Sequence, residues 1–241
     1  MMYRYDTDLE FLKYCSNEDL DLLVTYLIKD KDGNPRLTEE LTYTDEYKLY
    51  SPNHKMYWQL IAAELQCFGA NTFATLFRGG KGVLYKELLM DVCNKLKVNY
   101  NKNSSTEIIE MNLIMKILTD SIENMDSQQI KDIIKELKLK TTNYSKEALL
   151  AALQFAIKIG GFQSYEIAVI VANAVAKQLL KRGLSFTANA TLTRAISIFA
   201  GPIGWIITGA WTLIDIGGPA YRVTIPSVVQ VAYMRLKNKA Q

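Results

Sequence analysis

The stretch between Arg194 and Asp215 constrains the fold most strongly, because residues 195–214 are twenty consecutive positions without a charged side chain. A helix of about 20 residues is roughly 30 Å long, which matches the hydrocarbon core of a bilayer. A helix that is apolar on every side has to be surrounded by protein or by lipid. The surroundings of this stretch therefore decide what kind of protein the chain can be.

Glycine and proline within this stretch argue against a simple membrane anchor. The pair Gly201-Pro202 predicts a break, with two short helices over residues 191–200 and 202–214. Apolar segments of about 10 to 14 residues are more often core helices than membrane spans. We therefore expect a C-terminal hydrophobic hairpin that is covered by the amphipathic helices of residues 50–180. A permanent two-pass anchor is the alternative.

Small and aromatic side chains in the same region suit both surroundings. A stripe of small residues lets another helix approach closely, in a membrane or in a protein core. Tryptophans likewise occur at bilayer interfaces and in cores. The stripe, at intervals of four, consists of Ala200, Gly204, Thr208 and Thr212. The residues expected to contact a membrane, if this region reaches one, are Trp205, Ile206, Ile207, Trp211, Leu213, Lys237 and Lys239.

Charge is distributed unevenly along the chain, whose formal net charge is +3. Residues 151–241 contain nine lysines and arginines but only Glu166 and Asp215 as acids, so they carry +7 and residues 1–150 carry −4. Basic charge beside apolar sequence is typical of contact with anionic lipid. The bases form no dense stripe of the kind that nucleic-acid binding needs, so no nucleic-acid partner is expected.

Asp215 and Arg222 are predicted to be buried charges. Asp215 lies among apolar neighbours, and an unpaired buried charge is costly. We therefore expect Asp215 to form an ion pair with Arg222, with Arg194 as the alternative partner.

Helical periodicity dominates the rest of the chain and predicts an all-α fold of about ten helices. Ser16 is a predicted N-cap, followed by apolar residues at helical spacing, and Asp126 begins a similar helix. The stretch "SYEIAVIVANAVAKQLLKR" is apolar on nearly every side. The stretch "YRVTIPSVVQVAYMRL" is predicted to be a helix with Pro226 at its first position.

The polar stretch "NYNKNSS" at 99–105 is a candidate linker. It predicts an acidic N-terminal helical part over residues 1–100 and a helical bundle over residues 101–241, with one continuous domain as the alternative. The second part is expected to begin with a capping box formed by Ser104 and Glu107.

The cysteines and the single histidine do not predict a metal site or a cofactor. Cys15, Cys67 and Cys93 are widely spaced, and with His54 alone they do not form a zinc site of the usual kind. They are expected to be reduced, buried thiols of a cytosolic protein. His54 is expected at the surface. The N-terminal residues include acids where a secretion signal would be apolar, so we expect a cytoplasmic protein, peripheral to the inner membrane if it reaches lipid.

The glycine-rich stretch "RGGKG" at 78–82 is a candidate anion site, formed by Arg78, Gly79, Gly80 and Lys81. It departs from a phosphate-binding loop, because Gly82 stands where a hydroxyl side chain would bind magnesium. Backbone amides here could still hold an anion at the start of the next helix. A plain turn between two helices is the alternative.

Several stretches together resemble the bacterial YaaW-like protein family. These are "RYDTDLEFLKYCSNEDLDLLV", "LIAAELQCFGANTFATLFRGGKGVLYKELLMDVCNKLKV" and "GPAYRVTIPSVVQVAYMRL". The resemblance covers nearly the whole chain, and the last two stretches are the most distinctive. Some members carry the label "ubiquinol-cytochrome c chaperone family", which implies an assembly factor for a membrane respiratory complex. The resemblance implies no catalytic residue.

Three hypotheses about function follow from the sequence. The first is a non-enzymatic helical protein that contacts membrane lipid, conditionally inserting into or perturbing the bilayer through residues 195–236, with an oligomer left open. The second is a soluble chaperone or assembly factor that holds an apolar protein partner. The third is an enzyme with a site near "RGGKG".

Overall fold

The computed structural model describes residues 1–30, 32–69, 82–180, 190–211 and 221–240. Over these ranges the chain forms ten α-helices and no β-strand, which confirms the all-α fold. Short 3₁₀ helices occur at Glu10–Tyr14, Leu41–Tyr43 and His54–Tyr57. The α-helices are α1 (Asn17–Ile28), α2 (Asp45–Tyr50), α3 (Trp58–Phe68), α4 (Tyr85–Lys95), α5 (Thr106–Glu123), α6 (Ser127–Glu136), α7 (Lys146–Ile159), α8 (Gly161–Leu180), α9 (Ala190–Trp211) and α10 (Tyr221–Ala240).

Side-chain caps fix where several helices begin. Ser16 accepts a hydrogen bond from the amide of Asp19 at the start of α1, and Asp126 forms a full capping box at the start of α6, as predicted. The predicted cap at Ser104 is wrong by one residue. Ser105 caps α5, because Ser104 instead closes a turn through its amide onto the carbonyl of Asn101.

Two helices that are buried on all sides form the centre of the bundle. Every residue of α8 from Ile167 to Ala176 is buried, and so is every residue of α10 from Val223 to Arg235. α8 packs against α7, α9 and α10, while α10 also packs against α1, α4 and α5. The region predicted to face a membrane, residues 195–236, thus falls mostly in two helices. α10 is surrounded by protein, whereas α9 has one open side.

The two prolines lie inside helices, so both predictions about them are wrong. α9 continues through Gly201-Pro202 instead of dividing there, and Pro226 lies within α10, not at its first position. In α9 the buried residues on either side of Pro202 stay on one helix face. Burial of that face outweighs the loss of one backbone hydrogen bond at the proline.

The predicted C-terminal hairpin is not confirmed, because α9 runs as one helix from residue 190 to 211 through the expected turn. α9 packs chiefly against α8, α5 and α6, whereas α10 packs chiefly against α8 and α1. α9 and α10 contact each other only weakly. Both helices are therefore organised around α8 and not around each other.

One apolar core crosses the predicted boundary at residue 100. Buried residues from Leu9 to Met234 form a continuous cluster. α10 also contacts the N-terminal part through polar side chains, because Lys237 forms an ion pair with Asp19 of α1 at 2.8 Å and Tyr233 donates to the same carboxylate. The division into two parts stays a prediction.

His54 is buried, and its predicted surface position is wrong. The 3₁₀ helix His54–Tyr57 folds against α1, where the Nε2 atom of His54 lies 3.3 Å from the carboxylate of Asp21. The Nδ1 atom faces the hydroxyl of Tyr57. The histidine therefore joins this segment to α1.

A buried carboxylate on α3 makes stability depend on pH. Glu64 is 1% exposed, and both of its carboxylate oxygens accept the amide of Glu40 at 3.2 Å. Burial raises the pKa of Glu64 to about 7; the Glu40 amide opposes this shift, and the nearby carboxylates of Glu39 and Glu40 add to it. The folded state therefore holds a proton here that the unfolded chain releases near its ordinary pKa.

We expect the E64Q variant to gain stability relative to the wild type as pH rises from about 5 to about 8. A carboxyl group whose pKa is raised by folding costs free energy once the folded state has to deprotonate it, on the order of 2–3 kcal/mol for this shift. Glutamine keeps an acceptor for the Glu40 amide without a charge. Urea unfolding at several pH values measures the difference. The control E123Q, at the exposed end of α5, should show no such trend, and a flat difference for E64Q contradicts the prediction.

Candidate functional site

α9 has one buried face and one open face. The open face carries a line of residues at intervals of four, all of them exposed, which we call the outer stripe. The outer stripe consists of Thr193, Ser197, Gly201, Trp205 and Gly209. The buried face, which packs on α8, α5 and α6, includes Leu192, Ala195, Ile196, Phe199, Ile203 and Ile207.

The outer stripe combines one large aromatic side chain with small, uncharged neighbours. Trp205 is 82% exposed. A Cβ atom added at Gly201 or Gly209 would meet no atom within 4 Å. The only charged residue of α9 is Arg194, whose guanidinium forms ion pairs with Asp132 and Glu136 of α6, each at 3.2 Å. The stripe beyond Arg194 is thus an uncharged surface with shallow gaps around a protruding tryptophan.

The predicted small-residue stripe packs partly inside the protein. A Cβ atom at Gly204 would lie 2.6 Å from the side-chain oxygen of Gln178, so this glycine accommodates α8. Thr208 donates to the carbonyl of Gly204 in its own helix, and Ala200 is half-buried. Thr212 lies outside the described residues. α8 therefore approaches α9 closely at Gly204.

The structure does not bring the predicted membrane-contacting residues to one surface. Trp205 is exposed and Ile206 half-buried, but Ile207 is fully buried and has no open surface in this fold, so its contact with lipid stays a prediction. Lys237 pairs with Asp19, and Lys239 pairs with Glu107 at 2.7 Å. Leu213 lies outside the described residues, as does the environment of the Trp211 side chain.

Two further predicted sites are described only in part. Arg222 is exposed in the first turn of α10, so the prediction that it is a buried charge is wrong; α10 becomes buried only from Val223 onwards. Its predicted partner Asp215 lies outside the described residues, and so do Arg78, Gly79, Gly80 and Lys81. Gly82 is described, and its place against α3 leaves no room for a side chain.

A buried ion pair between Glu110 of α5 and Arg235 of α10 was not predicted. The Nε atom of Arg235 lies 2.9 Å from a carboxylate oxygen of Glu110, which is 1% exposed. Tyr85 donates to the other carboxylate oxygen at 2.7 Å, and Arg235 also donates to the carbonyl of Asp8. The sequence contains a signal for this pair. Arg235 continues the apolar spacing of Val228 and Ala232, which predicts a buried position.

The cysteines lack the features of catalytic thiols. Cys15 and Cys93 are buried, and burial raises the pKa of each to about 12 and that of Cys67 to about 11. A thiol is a nucleophile only as the thiolate, so these groups are inert at neutral pH. Among the described residues no group of three or more His, Cys, Asp and Glu side chains is arranged to hold a metal ion.

The segment Leu192–Gly209 of α9 is long and apolar enough to cross a membrane. It is the one helix in the described part of the chain that meets this criterion, which rests on length and composition alone. Only 39% of it is buried inside the protein. A core helix of a soluble protein is mostly buried, so α9 leaves more apolar surface uncovered than such a helix does.

Comparison with known proteins shows close relatives along the whole chain. A UPF0174 protein of Helicobacter pylori is 53% identical over 240 residues, which cover 99% of this chain and 94% of the relative. A second H. pylori UPF0174 protein is 44% identical over 85% of this chain and 100% of its own length. The UPF0174 protein YaaW of Escherichia coli is 31% identical over 97% of this chain and 95% of its own. No solved structure matches the chain.

Two family models also match the sequence. Residues 3–37 match a domain of unknown function, and residues 53–229 match the model described as "Ubiquinol-cytochrome C chaperone". The second match covers most of the chain, including α9 and the first turns of α10. The resemblance to the YaaW-like family is therefore confirmed, and the chain belongs to the UPF0174 family with a domain of the ubiquinol-cytochrome C chaperone type.

Proposed function

We propose that this protein is a non-enzymatic assembly chaperone that holds an apolar helix of a client protein against the outer stripe of α9. The observation that carries the proposal is the exposed Trp205 among small, uncharged residues on a helix otherwise packed into the bundle. The family model, which is named for a chaperone of a respiratory-complex component, supports the same class of function. The client would then be a membrane protein or a part of one.

The chemistry of the outer stripe favours a client helix over lipid. Helices that face lipid present large aliphatic side chains, whereas faces that dock another helix are enriched in small residues, which let the backbones approach. The open side chain positions at Gly201 and Gly209 provide such an approach on either side of Trp205. A tryptophan near the centre of a contact surface is also a frequent source of binding energy.

We expect the G201K variant to bind an apolar helix at least about tenfold more weakly than the wild type, because docking would bury an unpaired ammonium group at a cost above about 1.4 kcal/mol. The probe is a fluorescent peptide of about 20 alternating leucines and alanines. Its fluorescence anisotropy in detergent-free buffer reports binding. The variant should fold normally, since the Gly201 position is open and glycine is a weak helix former.

The Q154K variant is the matched control for charge. Gln154 is exposed on α7, beside the exposed side chains of Phe155 and Ile159. The Q154K substitution introduces the same charge near another apolar surface, so it should leave peptide binding unchanged. An equal loss in both variants, or no loss in G201K, contradicts docking on the outer stripe.

A second candidate function is direct contact of α9 with lipid, which the length and apolar composition of Leu192–Gly209 favour. It would make the protein peripheral to the cytoplasmic face of the inner membrane. In this case wild-type protein floats with vesicles of phosphatidylcholine alone, and G201K floats less. A chaperone that is not lipid-bound stays with the soluble fraction in the same flotation experiment.

A further inference from the structure

A cationic pocket lies where the C-terminal end of α8 meets the turn after α1 and the start of α10. Its volume is about 450 Å³. Lys29, Arg36 and Arg222 line it, so it brings together two segments that lie near opposite ends of the sequence. The pocket is separate from the outer stripe, although Thr208 of α9 contributes to its wall.

Within the part of the protein that the structure describes, the three cations of this pocket have only the carboxylate of Asp30 beside them. Over residues 1–30, 32–69, 82–180, 190–211 and 221–240, no carboxylate forms an ion pair with any of them. Asp30 also lines the pocket, but one of its carboxylate oxygens accepts the amides of Asp32 and Asn34 at 2.9 and 2.8 Å. Three positive charges therefore face one carboxylate, which a turn already holds.

The two arginines of the pocket influence each other, and Asp30 offsets part of their repulsion. Arg36 is half-buried, and its Nε atom donates to the carbonyl of Tyr26 at 3.3 Å, which fixes the stem and leaves the terminal nitrogens for another acceptor. Burial lowers the pKa of Arg36; Asp30 opposes this shift and the neighbouring Arg222 adds to it. An anion between the two guanidinium groups would remove this repulsion.

Apart from Thr208, the remaining wall of the pocket is mostly apolar. Tyr26, Leu179 and Leu180 line it, and Tyr26 is buried. An anion in such a site is partly shielded from water, which strengthens its interaction with the cations. Two guanidinium groups and an ammonium group supply more donors than one carboxylate can accept, whereas the several oxygens of a phosphate match them.

We propose that this pocket binds a phosphate group, with Arg36 and Arg222 as its main contacts and Lys29 at its rim. The phosphate belongs either to a small soluble molecule or to a phospholipid headgroup, whose chains would leave along the apolar wall. The proposal does not depend on the client-binding function. Variants of the outer stripe should leave phosphate binding unchanged.

The test compares two probes with the full-length protein. Inorganic phosphate is titrated by calorimetry, and vesicles with and without phosphatidylglycerol are used in flotation. Binding of inorganic phosphate assigns the site to small phosphates. Flotation only with vesicles that contain phosphatidylglycerol, without binding of inorganic phosphate, assigns it to a headgroup.

The R36Q/R222Q double variant should weaken whichever binding is seen by at least about tenfold, because both charge-assisted contacts are lost. Its thermal midpoint should stay close to that of the wild type, since the loss of the repulsion between the two arginines offsets the loss of the attraction between Arg36 and Asp30. The matched control K102Q/K158Q removes two exposed charges away from the pocket and should change binding by less than about twofold at physiological salt. Binding of neither probe, or equal losses in both double variants, overturns the proposal.

Discussion

Replacing Gly82 by alanine is expected to lower the free energy of unfolding by about 3 kcal/mol or more, the upper end of the range for overpacking a well-packed site. A Cβ atom at this position would lie 2.1 Å from the carbonyl carbon of Gln66 and 2.5 Å from the amide nitrogen of Cys67. These are backbone atoms of α3, which cannot rotate away as the end of a side chain can. The chain would have to separate from α3 to accept the methyl group.

The same contact explains why the effect extends beyond one residue. The amide of Val83 donates to the carbonyl of Gln66 at 3.1 Å, so separation at Gly82 also breaks this hydrogen bond. The G201A variant is the matched control, because a Cβ atom there meets nothing and alanine favours a helix by about 1 kcal/mol. Urea unfolding should thus show opposite signs for the two substitutions. Equal stabilities of G82A and the wild type would show that the packing against α3 is looser than described.

Replacing Arg235 by methionine is expected to cost about 3–5 kcal/mol of stability at neutral pH, because it leaves the carboxylate of Glu110 buried without its partner. Burial already raises the pKa of Glu110, and Arg235 opposes that shift. Without the arginine the pKa rises further. The penalty of R235M should therefore shrink as pH falls and Glu110 takes up a proton.

A double substitution separates the charge from the packing. In R235M/E110Q both charges are absent, and glutamine still accepts the hydrogen bond from Tyr85. We expect R235M/E110Q to be more stable than R235M at neutral pH. Its advantage over R235M should shrink as pH falls, because Glu110 of R235M then takes up a proton. The stacking of Arg235 on Phe11, 4.5 Å from the ring centroid, is lost in both variants and cancels. A penalty for R235M that does not change with pH would contradict an unpaired carboxylate as its cause.

The parts of the fold that were predictable from sequence are those set by local chemistry. Ser16 and Asp126 begin helices where predicted, since an N-cap depends only on residues three positions apart. Pro202 and Pro226 were mispredicted, because a local rule about proline competes with the burial of a whole helix face, and the partners that decide burial are distant in sequence.

The candidate sites show the same limit. Trp205 and Ile207 were both predicted to contact a membrane; Trp205 lies on an open face, but Ile207, two residues later, faces the core. Periodicity gives the angle between two side chains without showing which side the bundle covers. The pocket of Arg36 and Arg222 could not be predicted at all, because no pattern in sequence relates two positions so far apart.

The central position of α10 affects how the protein is made. α10 follows in the chain every helix that it packs against, and its buried surface from Val223 to Arg235 completes the contacts of α1, α4, α5 and α8. During synthesis these helices emerge from the ribosome with an empty groove where α10 belongs. The apolar surface of the earlier helices thus stays exposed until α10 has been translated and packs into the bundle. Products that stop before α10 would be substrates for proteases.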